Sequence, residues 1–412
     1  NPKPQTPNPK PLIIHIVEKF IKKYKLKKSI KSFFRKSINL DGRNFIMLRS
    51  RNCLFTVVLV ALVSQLRIAG VNKYVNENIE TQSKFNPYAK EHKDKILEAF
   101  KVIGDLGTYE LERFINVNDR GVNILVKEKD KEFIAKFIID DDELTKCNNE
   151  ISFTGLYLDG VNFIHNIDSF ISKESEVEGK PFNFCVLMFE KHDTSISEGG
   201  LFPAKFMSTK EENSRRLFRF FGKLVYAFVK LNFKTHILHG NVNSKTILVK
   251  YKDDKEIDPI ISDFSLMLKN DSGQNIGSNV VRYEGTYRCP ELKASIKTEG
   301  YSRENSWEYI LPSYRYSGEF LEDVYAIGEL VDHTLMYQSK NIREDLCEIT
   351  VLRKLAAYMK RDQYRPNMKQ ALKGLCVEVE DCIKYARDPL NIQFVKDAKT
   401  LLTTYNMDFI VI

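Results

Sequence analysis

His236-Ile-Leu-His239-Gly240-Asn241-Val-Asn243-Ser-Lys-Thr246-Ile-Leu-Val249, followed after a short charged turn by Ile260-Ile-Ser-Asp263-Phe264-Ser265, is the stretch on which this chain's fold turns. An apolar frame of His239, Val242, Ile247, Leu248 and Val249 encloses a run of small polar residues. Immediately upstream, residues Arg216 to Lys230 carry their apolar side chains on a helical stripe. Downstream, three short segments stand in order: Gly285-Thr-Tyr-Arg-Cys289-Pro290-Glu291, Asp323-Val-Tyr-Ala-Ile-Gly328 and Arg365-Pro366.

Further upstream the period changes. Gly121-Val-Asn-Ile-Leu-Val-Lys127 and Glu132-Phe-Ile-Ala-Lys-Phe-Ile138 are short apolar runs separated by the charged turn Glu128 to Lys131, which predicts a hairpin. Asp141 to Leu158 reads as a helix, and Pro181 to Glu190 as a strand ending in a polar connector. A helical stretch near His92 to Val102 precedes them. Strands with one helix, then a long helix, then loops and helices predict an α+β chain. A small β-rich lobe over 105–190 is expected in front of a larger α-rich lobe over 191–390, with 71–104 an extension and 391–412 a tail.

In this order and at these distances, the quoted segments resemble the signature set of eukaryotic protein kinases. They are similar to the catalytic loop, the metal-binding Asp-Phe-Gly, the Ala-Pro-Glu that closes the activation segment, the central helix of the large lobe and its late Arg. The resemblance covers about residues 105–390 and implies a bilobal protein-kinase-like fold. It gives structural roles to five residues. Glu291 and Arg365 would form the buried ion pair that ties down the activation segment. Asp323 would hold the loop backbone, and His239 and Phe264 would stack in the internal spine.

Phosphoryl transfer needs metal ions, a Lys on the phosphates and a carboxylate that takes the acceptor's proton. In the family pattern His-Arg-Asp-Leu-Lys-x-x-Asn, that carboxylate is replaced here by Asn241. An amide accepts no proton at neutral pH, so general-base work is gone. Asn243 stands for the usual Lys, Thr246 for the metal-binding Asn, and Gly240 for the Arg that reads an activating phosphate. The loop keeps its apolar frame and loses its chemistry.

The nucleotide site is mixed. Lys136 matches the phosphate-binding Lys of the third strand, with Glu150 its candidate partner and Glu143 the alternative. Asp263 matches the metal-binding Asp. These three either hold phosphates and a cation or form a structural ion pair with Asp263 capping a turn; both readings stand open. Three departures argue for weak or absent binding of ATP and magnesium. The expected glycine-rich loop between Leu111 and Val122 keeps only Gly121, with Ile115, Asn116, Val117 and Asn118 in the rest. Glycine lets backbone amides approach phosphates closely. Ile134 replaces the usual Ala on the face of Lys136, which narrows the pocket. Ser265 replaces the Gly of Asp-Phe-Gly. No cofactor is therefore required.

Charge is uneven along the 412 residues. Residues 1–46 carry 12 Lys/Arg against 2 Asp/Glu, and 47–70 add Arg49, Arg51 and Arg67. Against +8 for the whole chain, these +13 leave −5 for residues 71–412, which argues against a nucleic-acid partner. Met47-Leu-Arg-Ser-Arg-Asn, the apolar run Cys53 to Val63, and small residues near Ser64 and Ala69-Gly70 have the three parts of a secretory signal peptide. A buried helix is the alternative. The run is shorter than the ~20 residues of a membrane span. Residues 1–46 read as a leader or, over Ile13 to Ile38, as a basic amphipathic helix. Without Cys53 six cysteines remain, an even number that suits an oxidising compartment. Cys185 reads as core; Cys347, Cys376 and Cys382 are expected to include a bridge.

A function other than catalysis is therefore expected. Residues 292–322 gather Tyr301, Trp307, Tyr309, Tyr314 and Tyr316, a composition typical of partner surfaces or of an insertion packed on its own lobe. Asn270-Asp-Ser272 fits an N-glycosylation sequon. The signal peptide, degenerate loop and Lys/Asn/Ile-rich composition together resemble the secreted rhoptry-type kinases and pseudokinases of apicomplexan parasites. That resemblance implies a protein in the secretory pathway, secreted or in a secretory organelle, whose partner is another kinase or a host or vacuolar protein. The alternative is an atypical active kinase that recruits Asp253 or Asp254.

Overall fold

A computed structural model describes residues 109–118, 121–140, 147–148, 150–152, 163–164, 166–177, 180–199, 201–252, 256–264, 267–269, 280–282, 287–291, 293, 308–310, 320–386 and 388–404. The signal-peptide, leader and sequon readings, Glu143, Asp253, Asp254, Ser265, and Tyr301, Trp307, Tyr314 and Tyr316 lie outside these residues. So does the side chain of Tyr309.

Alternating apolar side chains build a five-stranded antiparallel sheet in the order β1-β2-β3-β5-β4. Its strands are β1 (Glu110–Asn118), β2 (Gly121–Glu128), β3 (Lys131–Asp140), β4 (Asn166–Val177) and β5 (Lys180–Glu190). The predicted hairpin is β2–β3, paired from Val122↔Phe137 to Glu128↔Lys131, and Lys129 takes a φ of 57° in its turn. Lys136 faces Leu187 across β5, and Ile138 faces Cys185. β4 was not anticipated; its polar Ser169, Ser172, Lys173 and Glu174 hide the strand period.

A short β6 (Thr194–Ser195) and α1 (Ile196–Gly199) lead to α2 (Lys210–Lys234). Its start is set by Thr209, whose hydroxyl accepts from Glu212 N at 3.1 Å, with Glu211 and Glu212 complementing the helix dipole. Leu217, Phe218, Phe220, Phe221, Leu224, Val225, Phe228 and Leu231 are all buried, so α2 is the central post of the helical part. Each such Phe or Leu contributes about 1.5–3 kcal/mol on burial. His236, at φ 55°, ends the helix region and opens β7 (Ile237–Leu238).

β8 (Ile247–Tyr251) and β9 (Ile257–Ile261) pair with β6 in a three-stranded sheet of order β6-β8-β9. β10 (Leu268–Lys269) pairs with β7, and β11 (Val280–Arg282) with β12 (Glu308–Ile310). Four helices follow: α3 (Leu321–Tyr337), α4 (Cys347–Met359), α5 (Met368–Ala386) and α6 (Pro389–Thr404). Asn367 and Gln370 cap α5 reciprocally, each side chain meeting the other's backbone N–H at 3.0 and 2.9 Å. Asp388 caps α6 by accepting from Leu390 N at 2.9 Å, with Pro389 at the first helical position. Residues 391–404, read from sequence as the start of a tail, are thus helical, and Phe394 and Leu402 join the core.

Fully buried Arg219 binds α2 to this last helix. It donates to Glu256 at 2.9 Å, to Asp388 at 2.8 Å and to Asn391 at 3.1 Å. Such a network specifies geometry more than it adds stability. The chain is mixed α+β, with small antiparallel sheets and about six named helices among the described residues. Among the described residues, no helix is long and apolar enough to cross a membrane.

Two disulfides revise the reading of the cysteines. Cys185 is not plain core but is bonded to Cys147, and Cys347 is bonded to Cys382, while Cys289 and Cys376 are buried free thiols. The first bond joins segments that only the folded sheet brings together.

Candidate functional site

The site is built where β3, the helical residues around Glu150, the loop 239–246 and the end of β9 converge. Lys136 comes from the middle of β3, where alternation turns it to the same face as Ile134 and Ile138. It forms an ion pair with Glu150, whose side chain is fully buried, and a second with Asp263 Oδ1 at 2.9 Å. Burial alone would lower the Lys136 pKa, but Asp263 and Glu150 offset it and the ammonium is held above its usual range. Burial raises the Glu150 carboxyl, Lys136 opposes the rise, and nearby Asp263 adds to it. One ammonium between two carboxylates accounts for both directions.

Asp263 sits just past β9 with φ 67°, a left-handed conformation that Asp tolerates better than most residues. Its second oxygen, Oδ2, accepts from Asn241 Nδ2 at 2.9 Å. Asn241 is buried, and its own amide oxygen accepts from Asn243 Nδ2 at 3.0 Å. Thr246 donates its hydroxyl back to the Asn241 carbonyl at 2.7 Å and accepts from Asn243 N at 3.1 Å. The side-chain oxygen of Asn243 accepts from Lys245 N at 2.8 Å. The three substituted loop positions therefore satisfy one another.

Beneath the loop, Asp323 at the start of α3 accepts from His239 N at 2.9 Å, Gly240 N at 3.0 Å and Asn232 Nδ2 at 3.2 Å. Gly240 has φ 71°, which glycine adopts without strain. His239 Nε2 donates to the Ser262 carbonyl at 2.9 Å, while Asn241 N donates to its Nδ1 at 3.2 Å, which fixes one neutral tautomer. The rings of Phe163, Phe264, His239 and Phe228 follow one another with centroids 6.5, 5.1 and 5.9 Å apart. This chain of rings connects the segment entering β4 with α2.

A cavity of about 100 Å³ lies over this network, lined among others by Ile134, Lys136, Glu150, His192, Lys245 and Asp263. Burial pushes the His192 imidazole down to about 4, against the pull of Asp193, so it is neutral at pH 7. His192 and Lys245 were not singled out from sequence. Lys245 lies inside the quoted loop, but no family position marked it, and His192 falls in the connector after β5.

Apart from Glu143, Asp253, Asp254 and Ser265, the sequence-predicted site residues have a described place. Lys136, Glu150, Asp263, Asn241, Asn243, Thr246, His239, Phe264 and Asp323 come together. Glu291 and Arg365 pair elsewhere, at 3.1 and 3.2 Å from one guanidinium nitrogen. That pair is not buried as expected: Arg365 is 3% exposed at its side chain but Glu291 46%, because Glu291 stands on the surface while Arg365 packs over the Tyr325 ring at 5.0 Å. Among the described residues, no cluster of three or more His, Cys, Asp or Glu is placed to hold a metal ion. No protein-family model and no curated protein matches the chain.

Proposed function

We propose that this chain is a secreted, catalytically inactive protein-kinase-like protein, with a bilobal fold split near residue 190, that acts by binding and regulating another protein. The observation that carries this reading is the capping of Asp263. Lys136 occupies one of its oxygens and Asn241 the other. In phosphoryl transfer that carboxylate must face a cation, and position 241 must take a proton. Here the amide of Asn241 instead supplies a donor where a cation would sit, and the Thr246 hydroxyl is directed to backbone. As they stand, these residues do not fit a magnesium–nucleotide complex. The cavity is also small against the roughly 300–1,000 Å³ of small-molecule sites. Ile134 on its wall supports the same reading.

Two disulfides support a secretory route, since such bonds persist in oxidising compartments. The partner under this reading is another kinase or a host or vacuolar protein, as the resemblance to rhoptry-type proteins implies. The Lys136–Glu150–Asp263 arrangement favours one alternative, an atypical active kinase. A phosphate-transfer assay from labelled ATP, with magnesium or manganese, separates the two. The expected result is no label above background on the protein itself or on generic acceptors, for the wild type and for Asn241→Asp alike. Metal-dependent labelling that disappears in Lys136→Ala and Asp263→Ala would establish the alternative.

A further inference from the structure

Two bonds join the Glu150 helix to the sheet, and they lie side by side. Cys147 and Glu150 are three residues apart, so they share one face of a helix. On the sheet, Lys136 and Ile138 are two residues apart on β3, and Cys185 is the cross-strand partner of Ile138. Alternation puts Lys136, Ile138, Cys185 and Leu187 on a single face. The ion pair Lys136–Glu150 and the disulfide Cys147–Cys185 are thus neighbouring rungs between the same two elements. Both cysteines are fully buried, and their Cα atoms stand 6.0 Å apart, within the ordinary range for a bridge.

We propose that the Cys147–Cys185 disulfide is the positioning element of the cleft, so that the oxidation state of this one pair decides whether the Lys136–Glu150–Asp263 network forms. A fully buried carboxylate is costly unless its cationic partner is held in place. The covalent rung keeps Glu150 against Lys136, and Lys136 in turn holds Asp263. Cleavage by a dithiol breaks the S–S bond, passes two electrons and two protons to the sulfurs, and leaves two protein thiols and the oxidised reagent. The helix then keeps its non-covalent contacts, the ion pair among them, but loses its covalent rung to the sheet, and Lys136 becomes accessible. Because the sulfurs are buried, exchange requires local opening. The network therefore persists in an oxidising lumen and is released in a thiol-rich compartment. The second disulfide, Cys347–Cys382, joins α4 to α5 and provides an internal control. The inference is independent of whether the cleft takes a nucleotide.

The test uses the full chain, with Cys147→Ala/Cys185→Ala and, as control, Cys347→Ala/Cys382→Ala. Hydrogen exchange is followed over residues 147–152, and Lys136 acylation is read by mass spectrometry. The first pair is expected to lose at least 10-fold in amide protection there and gain at least 10-fold in Lys136 labelling, with α3 unchanged. The control pair keeps wild-type values at both. Wild-type labelling in the first pair would overturn the proposal, as would protection lost equally along the chain or free thiols at 147 and 185 in the oxidised protein. If the first variant does not fold, graded reduction of the wild type replaces it. Lys136 labelling must then rise in step with alkylation of Cys147 and Cys185; if it follows Cys347 and Cys382, or does not rise, the proposal falls.

Discussion

Asp323 carries the loop on one buried carboxylate. It accepts three hydrogen bonds, yet burial outweighs them and lifts its pKa from 3.8 to about 6. A folded pKa above the unfolded one means that its contribution to stability is greatest below pH 3.8. The contribution falls as pH rises through 6 and is level beyond. Asp323→Asn abolishes that titration and turns an amide donor toward one of two backbone N–H groups. The variant should lose about 1–3 kcal/mol at pH 7 and show a flatter stability profile between about pH 4 and 6. Denaturant unfolding at a series of pH values checks this, and an unchanged slope in the variant would contradict it. Single residues were legible in the sequence where a motif fixed their spacing. Lys136, His239, Asp263 and Asp323 are such cases, whereas Glu150 was one of two candidates and is the one that pairs with Lys136. What the motif did not state was how the substituted residues pair: the Asn241 bond to Asp263 depends on two loops meeting, and the exposure of Glu291 depends on what covers it.

Elements were legible in proportion to the clarity of their period. The β2–β3 hairpin and α2 show apolar alternation and a helical stripe, and both are present. β4 was missed because the polar run Ser172-Lys173-Glu174 breaks the apolar alternation in its sequence, and α6 because it lies past the last segment of the resemblance, although Phe394, Val395, Ala398 and Leu402 keep a helical spacing. The contact between α2 and α6 makes a test at this scale. A Cβ on Gly222 would lie 2.6 Å from Phe394 Cζ and 2.8 Å from Cε1. Alanine gains up to about 1 kcal/mol in helix propensity over glycine. Overpacking costs about 1–3 kcal/mol, so the clash should win. Gly222→Ala should unfold earlier in urea, and Gly222→Ala/Phe394→Leu should recover part of the loss. A Gly222→Ala variant more stable than wild type would mean that α6 does not pack as described.

At the scale of the whole molecule, the sequence reading of strands first and helices after corresponds to the mixed α+β architecture found. The disulfides were legible only in part: pairing near the C-terminus was expected among three cysteines, whereas Cys147–Cys185 joins segments whose proximity only the folded sheet creates. The proposed loss of catalysis rests on the same convergence, because Asp263 is capped by residues that arrive from β3 and from the 239–246 loop. The most direct measurement is a thermal-unfolding titration of the protein with ATP, with and without magnesium or manganese. A ligand that binds only the folded state at ~100 times its Kd adds about 2.7 kcal/mol, a readable rise in Tm. The account predicts no metal-dependent rise, because both oxygens of Asp263 already hold protein donors. A metal-dependent rise that is lost in Lys136→Ala would contradict it and make the cleft a working nucleotide site.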